Sequence, residues 1–379
     1  MPTTHIFCSV IDNFGDLGVC WRLARQLAAE FSAEVTLLVD DLSAFAVLEP
    51  SIDPALSVQP LGGLTLMAWQ RDAALALSPA ALVIEGFACT LPATYRAQIT
   101  AQTVWVNLDY LSAEAWIDDC HGLSSPQTQG ASTTFWFPGF SARSGGLLRE
   151  AELIQRLPSH DGFCNDSPPR ISLFCYETES VQALLAALHT SPCELLICSG
   201  KALQVVNAHV SLGVGERVRH GASTLQALPM LSHDDFDALL ASCDLNIIRG
   251  EDSFVRAQWA GKPLLWHIYP QDELAHETKL AAWLARVTTH AKAQTHSATR
   301  PKAAQQTRAL SSWQTAQWAW VRGTLTPDHL HALLAVLKPL HEVMLHWRDA
   351  LTEQPDLATQ LMRFYANQVE SVPEKTHPD

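Results

Sequence analysis

Residues 244–261 read Asp-Leu-Asn-Ile-Ile-Arg-Gly-Glu-Asp-Ser-Phe-Val-Arg-Ala-Gln-Trp-Ala-Gly, and they indicate the architecture of the second half of the chain. The apolar run 244–248 is typical of a buried strand, and residues 254–260 predict a helix that the Gly-Lys-Pro of 261–263 ends. Gly250 to Ser253 are therefore predicted to form a strand-to-helix turn. In a doubly wound sheet such turns lie at the carboxyl ends of the strands, where ligands bind.

This turn joins a helix N-terminus, which favours an anion, to two anionic side chains of its own, Glu251 and Asp252. The residues alone leave two interpretations open. In one, Asp252 or Ser253 is simply the N-cap of the helix. In the other, the helix start holds a diphosphate, and the carboxylates bind hydroxyls or a cation.

The chain begins with a similar pattern. His5 to Ile11 predicts an apolar strand, residues 12–18 (Asp-Asn-Phe-Gly-Asp-Leu-Gly) a turn, Val19 to Glu30 a helix, and Glu34 to Val39 the next strand. This β-turn-α-β opening is typical of nucleotide-binding folds. The turn has neither the G-x-G-x-x-G pattern nor a P-loop lysine, so a dinucleotide or ATP site is poorly supported.

The same turn carries Asp12 and Asp16, two carboxylates four residues apart, beside glycines that would let a ligand approach the backbone. Both can instead be turn formers, Asp12 in an Asx-turn and Asp16 as a helix N-cap. The residues alone do not decide between these two interpretations.

Apolar runs and helical periodicity predict further α/β structure in both halves. Helical stretches are predicted between the early strands, residues 111–140 are expected to be irregular, and 158–169 to be a linker. The remaining predicted strands are 81–87, 103–108, 170–176, 194–198 and 263–268, with a short segment at 223–230, and the predicted helices are 181–188, 233–242, 273–291, 308–320, 328–338 and 340–368.

A chain of 379 residues is too long for one ordinary domain. We therefore predict an α/β fold with two Rossmann-like domains facing across a cleft. The N-terminal domain is placed at 1–160 and the C-terminal domain at 170–340. A C-terminal helix at 341–379 can pack back on the first domain.

The net charge of −14 argues against non-specific binding to nucleic acid or to an anionic membrane. No run approaches 18 apolar residues, and residues 1–4 lead directly into a strand, so neither a membrane span nor a signal peptide is expected. Nine scattered cysteines without a C-x-x-C pair predict free thiols in a reducing cytoplasm; Cys8, Cys175 and Cys198 are expected to be buried.

The sequence offers little for metal or covalent chemistry. His341 and His346 enclose H-E-x-x-x-H, which places the two rings about 140° apart on a helix, so they cannot share a zinc ion as H-E-x-x-H does. Neither a G-x-S-x-G elbow nor a cysteine in an electropositive turn indicates a covalent nucleophile. These residues therefore indicate neither a zinc site at 341–346 nor a covalent nucleophile, and the family resemblance given next implies that the reaction uses neither a metal nor a bound cofactor.

Two long motifs, residues 12–27 and 249–261, together with 266–271 (Trp-His-Ile-Tyr-Pro-Gln), resemble the bacterial family of protein-arginine rhamnosyltransferases that modify elongation factor P, the EarP family. The resemblance is collinear and covers nearly the whole chain. It implies the GT-B glycosyltransferase architecture, in which the second domain holds the nucleotide diphosphate and the first presents the base and the acceptor.

The resemblance further implies the reaction. The donor is dTDP-β-L-rhamnose, the acceptor is one arginine at a loop tip of elongation factor P, and the transfer inverts the anomeric carbon without a metal. The modified factor rescues ribosomes stalled on polyproline, which places the enzyme in the cytoplasm.

The resemblance also implies roles for individual residues. Asp16 and Glu251 match the family's catalytic carboxylates, and Asp12 lies in the same site. Relatives are expected to carry Gln where this chain has His233, which puts a direct base or ribose contact there in doubt. The predicted donor-binding residues are Phe14, Gly15, Tyr176, His233, Arg249, Asp252, Ser253, Phe254 and Arg256.

The chemistry requires residues of these types. An arginine side chain stays protonated at neutral pH, so Asp16 is expected to orient the guanidinium and to accept a proton as the C–N bond forms. Two alternatives stay open: a GT-B transferase with another nucleotide sugar and acceptor, and a nucleotide-sugar-binding regulator without turnover.

Overall fold

The computed structural model describes residues 2–10, 15–157, 167–295 and 300–371 as two compact units. The first unit contains the described residues of Met1–Ala151 and Gln354–Asp379, and the second those of Glu152–Glu353. Residues 341–353 thus belong to the second unit and residues from 354 onward to the first. The predicted linker at 158–169 lies mostly outside the described residues.

The first unit is an eight-stranded sheet with helices. Its strands are β1 (Thr3–Cys8), β2 (Glu34–Val39), β3 (Val58–Leu61), β4 (Leu64–Ala68), β5 (Leu82–Gly86), β6 (Val104–Leu108), β7 (Ser124–Pro126) and β8 (Ser132–Trp136). Its helices are α1 (Gly15–Phe31), α2 (Leu42–Leu48), α3 (Ala93–Arg96), α4 (Ile117–Cys120), a 3₁₀ turn (Thr128–Gly130) and α14 (Leu357–Ser371).

The strand order of this sheet is β3-β4-β2-β1-β5-β6-β8-β7, and only the edge strands β3 and β7 run antiparallel to their neighbours. The chain leaves β1 to build β2 on one side and returns to build β5 on the other. The boundary between β1 and β5 is therefore a topological switch point, where loops at the carboxyl ends of strands diverge and leave room for a ligand.

The second unit contains a six-stranded sheet and a large helical portion. Its strands are β9 (Arg170–Leu173), β10 (Glu194–Ile197), β11 (Arg217–His220), β12 (Ser223–Ala227), β13 (Leu245–Arg249) and β14 (Leu264–His267). Its helices are α5 (Leu153–Arg156), α6 (Ser180–Thr190), α7 (Lys201–Asn207), α8 (His233–Ser242), α9 (Asp252–Ala260), a 3₁₀ turn (Asp272–Leu274), α10 (Ala275–Thr295), α11 (Arg300–Val321), α12 (Pro327–Leu334) and α13 (Leu337–Thr352).

The strand order of the second sheet is β11-β12-β10-β9-β13-β14, with only β11 antiparallel. Its switch point lies between β9 and β13. The strand cores are apolar on both faces, as in β13, where Leu245, Ile247 and Ile248 are fully buried. The predicted doubly wound α/β fold is thus confirmed in both halves.

The structure differs from the sequence-based expectations in three places. Residues 58–68, where no strand was predicted, form a β-hairpin whose turn, Gly62-Gly63, has positive φ at both positions. The irregular stretch 111–140 contains β8, which pairs with β6. Neither segment has the long apolar run by which the other strands were predicted.

The third difference concerns the predicted helix 340–368, which is two helices, α13 and α14. Pro355 disfavours a helical conformation in the residue before it, and Asp356 then accepts a hydrogen bond from the Thr359 backbone N–H at 3.0 Å to start α14. Within the first unit, α14 is held by Gln26, which donates to Asp356 at 3.1 Å, and by the contact of Phe364 with Trp136.

The predicted burial of three thiols is confirmed. Cys8, Cys175 and Cys198 are buried free cysteines, and burial raises the pKa of Cys175 and of Cys198 to about 12. These thiols are inert core residues at neutral pH. Among the described helices, none is long and apolar enough to cross a bilayer.

Candidate active site

The first predicted catalytic carboxylate lies at the switch point of the first sheet. Asp16 is in the first turn of α1, directly after Gly15, and is buried at 7% exposure. Its Oδ2 accepts a hydrogen bond of 3.2 Å from the hydroxyl of Tyr110, which follows β6. Asp12 and Phe14 lie outside the described residues.

The ring of Tyr110 packs against Phe87 with centroids 4.6 Å apart, and Phe87 belongs to the loop that follows β5. Asp16, Phe87 and Tyr110, here called the Asp16 cluster, therefore come from the carboxyl ends of three strands that are adjacent in the sheet. Sequence reasoning missed Phe87 and Tyr110. Their positions directly after β5 and β6 are the signal that could have indicated them.

The second predicted carboxylate lies in the turn between β13 and α9. Gly250 has φ +65°, and its carbonyl accepts a 2.8 Å hydrogen bond from the indole of Trp266. A Cβ at this position would stand 3.3 Å from the Tyr176 hydroxyl, so the glycine permits both the turn and the close approach. Glu251, rather than Asp252 or Ser253, occupies the N-cap position and makes no side-chain capping bond.

Asp252 takes part in a buried ionic network instead. The guanidinium of Arg256 donates through Nε to Asp252 Oδ2 and through Nη1 to Asp237 Oδ2, each at 2.8 Å. The Arg256 side chain is only 2% exposed. Because Asp237 lies on α8 and Asp252 begins α9, this arginine ties together two helices that both start at predicted donor-binding residues.

Ser253 and Phe254 also have defined partners. The Ser253 hydroxyl donates to the carbonyl of Arg249, and the Phe254 ring is fully buried, stacked on Trp266 with centroids 3.7 Å apart. The side chain of Phe254 is therefore part of the core, and a donor would meet this residue through its backbone. The structure does not bring the Phe254 ring to the surface of the site.

A group of aromatic and basic side chains surrounds the carboxyl ends of four strands in this sheet. Arg249 lies over the rings of Phe174 and Tyr176, with its Cζ 4.5 and 4.7 Å from their centroids, and Lys201 Nζ is 5.6 Å from the Tyr176 ring. We call Tyr176, Lys201, Arg249, His267 and Tyr269 the Tyr176 cluster. Within the described residues, the Arg249 guanidinium has no carboxylate partner.

His267 and Tyr269 each meet the edge or face of the Tyr176 ring, at centroid distances of 5.4 and 5.3 Å. Burial, and to a lesser extent the charge of Arg249, lower the pKa of His267 to about 4, so its imidazole is neutral at pH 7. Sequence reasoning did not single out Lys201, His267 or Tyr269. Lys201 follows β10 and the other two end or follow β14, which is a signal of the same kind.

His233 is the first residue of α8 and is half-buried. The helix is capped one residue earlier by Ser232, whose hydroxyl accepts from the Asp235 backbone N–H at 3.1 Å. His233 thus stands at a helix N-terminus near the network of Asp237 and Arg256. Within the ranges that the structure describes, no group of three or more His, Cys, Asp or Glu side chains is arranged to hold a metal ion.

Comparison with known proteins identifies the family of this chain. The family model of the elongation factor P (EF-P) rhamnosyltransferase EarP matches residues 4–366. A protein-arginine rhamnosyltransferase of Pseudomonas putida is 42% identical, covering 96% of this chain and 99% of its own, and one of Pseudomonas aeruginosa is 41% identical over 97% and 100%.

Two solved structures extend the comparison. One, described as the structural basis for EarP-mediated arginine glycosylation of translation elongation factor EF-P, is 31% identical with a TM-score of 0.64 and covers 97% of this chain and 99% of its own. A glycosyltransferase of kitacinnamycin, 11% identical with a TM-score of 0.52 over 97% and 100%, shares the fold alone. The chain therefore has the GT-B glycosyltransferase fold and belongs to the EarP family of protein-arginine rhamnosyltransferases.

Proposed function

We propose that this enzyme transfers L-rhamnose from dTDP-β-L-rhamnose to one arginine of elongation factor P, in a single inverting displacement that needs no metal. The observation that carries the acceptor assignment is the 31% identity, over 97% of the chain, to the structure described for arginine glycosylation of that factor. Since the acceptor is a translation factor, we place the reaction in the cytoplasm.

The donor is assigned to the second unit. The Tyr176 cluster offers aromatic surface for a nucleoside and two cations, Lys201 and Arg249, for a diphosphate. The start of α9 adds backbone N–H groups and the positive end of a helix dipole. Arg256, which was predicted to bind the donor, acts in this proposal by fixing Asp252 and α9, because its guanidinium is engaged by two carboxylates.

The acceptor chemistry is assigned to the first unit. A guanidinium nitrogen of the substrate attacks C1 of the rhamnose, the C1–O bond to the diphosphate breaks, and dTDP leaves with the bonding electron pair. Asp16 binds the guanidinium by charge-assisted hydrogen bonds and accepts the proton that the nitrogen releases as the C–N bond forms. Asp12 supports this role of Asp16. Glu251, which belongs to the second unit, holds a rhamnose hydroxyl or the remaining guanidinium nitrogens.

Charge on the departing diphosphate is then stabilised by Arg249, Lys201 and the α9 N-terminus rather than by a metal. Attack opposite the leaving group converts the β-linked donor into an α-linked product. Only one displacement occurs, so no covalent glycosyl-enzyme intermediate forms.

The test is intact mass spectrometry of unmodified elongation factor P after incubation with the enzyme and dTDP-β-L-rhamnose in the presence of EDTA. A gain of one deoxyhexose, mapped by fragmentation to one arginine, is expected. Replacement of that arginine by lysine in the acceptor is the matched control and should abolish the gain. An unchanged mass with donor that still protects the enzyme against thermal unfolding would reject the acceptor.

If neither a mass change nor thermal protection is observed, the donor is rejected as well. Other nucleotide sugars would then be compared by the same thermal assay. Donor binding without dTDP release in the presence of acceptor would favour the regulator without turnover. The EDTA condition separates a metal-independent reaction from one that a divalent cation restores.

A further inference from the structure

Tyr110 contacts the Asp16 carboxylate, and no role in the reaction has so far been given to it. Its hydroxyl donates to Asp16 Oδ2 at 3.2 Å, and the residue is 38% exposed although one side of its ring packs against Phe87. Exposure of a large aromatic ring directly beside a buried carboxylate is typical of a surface that receives a ligand.

The backbone of the loop that follows β5 and contains Phe87 is strained. Phe87, Ala88 and Thr90 have φ of +53°, +52° and +56°, a region that non-glycine residues rarely adopt. Such strain persists only where surrounding contacts determine the conformation, and it concentrates at functional sites.

Those contacts are present at the ends of β5 and β6. The backbone N–H of Thr90 donates to Glu85 Oε1 at 2.9 Å, that of Ala88 to Asn107 Oδ1 at 3.3 Å, and that of Phe87 to the Leu108 carbonyl at 2.7 Å. The loop is thereby fixed against two strands, and Phe87 becomes a rigid support for the Tyr110 ring.

We infer that Tyr110 is a positioning residue of this transferase: its hydroxyl orients the Asp16 carboxylate, and the ring, backed by Phe87, forms one wall for the acceptor guanidinium. This inference rests on the proposed role of Asp16 as base. A tyrosine suits both tasks, because the hydroxyl donates to a carboxylate and the ring face attracts a guanidinium cation.

The two tasks make different kinetic predictions. The hydroxyl acts on the orientation of the base, so its loss changes kcat; the ring acts on acceptor binding, so its loss also raises the KM for the acceptor. Tyr110→Phe should lower kcat about 10-fold with both KM values unchanged. Tyr110→Leu should lower kcat similarly and raise the acceptor KM by roughly 5-fold.

The experiment measures steady-state transfer to elongation factor P for wild type, Tyr110→Phe, Tyr110→Leu and the control Tyr365→Phe, which removes a hydroxyl from α14. Thermal unfolding and its shift by dTDP should be the same for wild type, Tyr110→Phe and the control. A Tyr110→Phe enzyme with wild-type kcat, or one whose only change is lower thermal stability, would overturn the inference.

A second measurement tests whether Tyr110 acts through Asp16. In single-turnover reactions with excess enzyme, Tyr110→Phe should change the rate of the Asp16→Asn variant less than 2-fold, because the carboxylate that it orients is gone. An undiminished 10-fold effect in that background would overturn the proposed route. Wild-type transfer tests the proposed function, whereas the ratios between variants test this inference, so the two failures are distinguishable.

Discussion

The two units have similar loop architecture at their switch points, but the side chains that contact the carboxylates in these loops differ. In the second unit, Asp252 shares the buried guanidinium of Arg256 with Asp237, so the start of α9 is fixed by an ionic network. In the first unit, Asp16 accepts a hydrogen bond from a neutral donor, the Tyr110 hydroxyl.

This difference matches what the two halves of the proposed reaction require. A donor site has to hold a diphosphate in one place, and a network of paired charges makes a helix start rigid. A base has to take up a proton, and a neutral hydroxyl can orient a carboxylate without adding a full positive charge to it. The same fold therefore supports both roles through the choice of the side chains around each loop.

Loss of Asp16, the proposed base, should have the largest effect on kcat and so should separate the roles of the two units most clearly. Asp16→Asn preserves size but removes the charge, and general-base contributions of about 10²- to 10⁴-fold lead us to expect a fall in kcat of that order. The thermal unfolding temperature should change little. Steady-state transfer assays and differential scanning calorimetry measure both quantities.

The control is Asp119→Asn, which alters an exposed carboxylate of the same unit paired with Arg143. Its kcat should equal that of wild type. Near-normal turnover of Asp16→Asn would contradict the assignment of this residue as the base.

Loss of the buried arginine should affect stability more than any exposed ion pair does. Arg256→Met leaves the buried Asp237 and the partly buried Asp252 without their shared cation, so we expect the free energy of unfolding to fall by about 3–5 kcal/mol. Urea denaturation measures this change. Adding Asp237→Leu to Arg256→Met should recover part of the loss, because it removes one of the two charges that Arg256 pairs with.

The exposed pair of Arg143 and Asp119 provides the contrast in the first unit. Arg143→Met should change the free energy of unfolding by less than about 1 kcal/mol. Equal losses for Arg143→Met and Arg256→Met would show that the ionic network does not stabilise α9 as described.

The pH dependence of stability allows a further comparison, between one buried histidine in each unit. His267 has a folded-state pKa of about 4 because of burial, and His5 in the first unit is lowered to about 4 for the same reason. In the unfolded chain both histidines take up a proton near pH 6.5, whereas in the folded protein they do so only near pH 4. Their contribution to the free energy of unfolding is therefore complete above pH 6.5 and is lost as the pH falls from 6.5 to 4. For His267 alone the loss is about 3 kcal/mol.

Urea unfolding between pH 7.5 and pH 4 measures this loss. His267→Phe, which does not titrate, should flatten the curve by that amount. An unaltered slope for His267→Phe would contradict the buried, neutral state of His267.

Sequence patterns were sufficient for the parts of the fold that have long apolar runs. The helix His233–Ser242 and the strand Glu34–Val39 have their predicted bounds, because local periodicity and flanking turn residues define them. The hairpin at 58–68 and the break at Pro355 were not predicted. The strands of the hairpin are only 4 and 5 residues long, and Pro355 is a single residue inside a long stretch of helical periodicity.

The candidate site shows the same division. Asp16, Glu251 and the α9 turn were found because they lie in continuous motifs, whereas Phe87, Tyr110 and Lys201 follow other strands. Their proximity arises only when the strands become neighbours in a sheet, and nothing in their local sequence encodes that adjacency. The roles of the predicted site residues themselves stay predictions for the experiments above.

By itself, the sequence determined the two α/β halves and the family, since apolar periodicity and two long motifs are properties of continuous segments. Only the tertiary structure decided which side chains complete each cluster and that Arg256 is shared by Asp237 and Asp252. It also placed the Phe254 ring in the core. The physical reason is that strand order, and with it every contact across a switch point, is set by the packing of segments far apart in the chain.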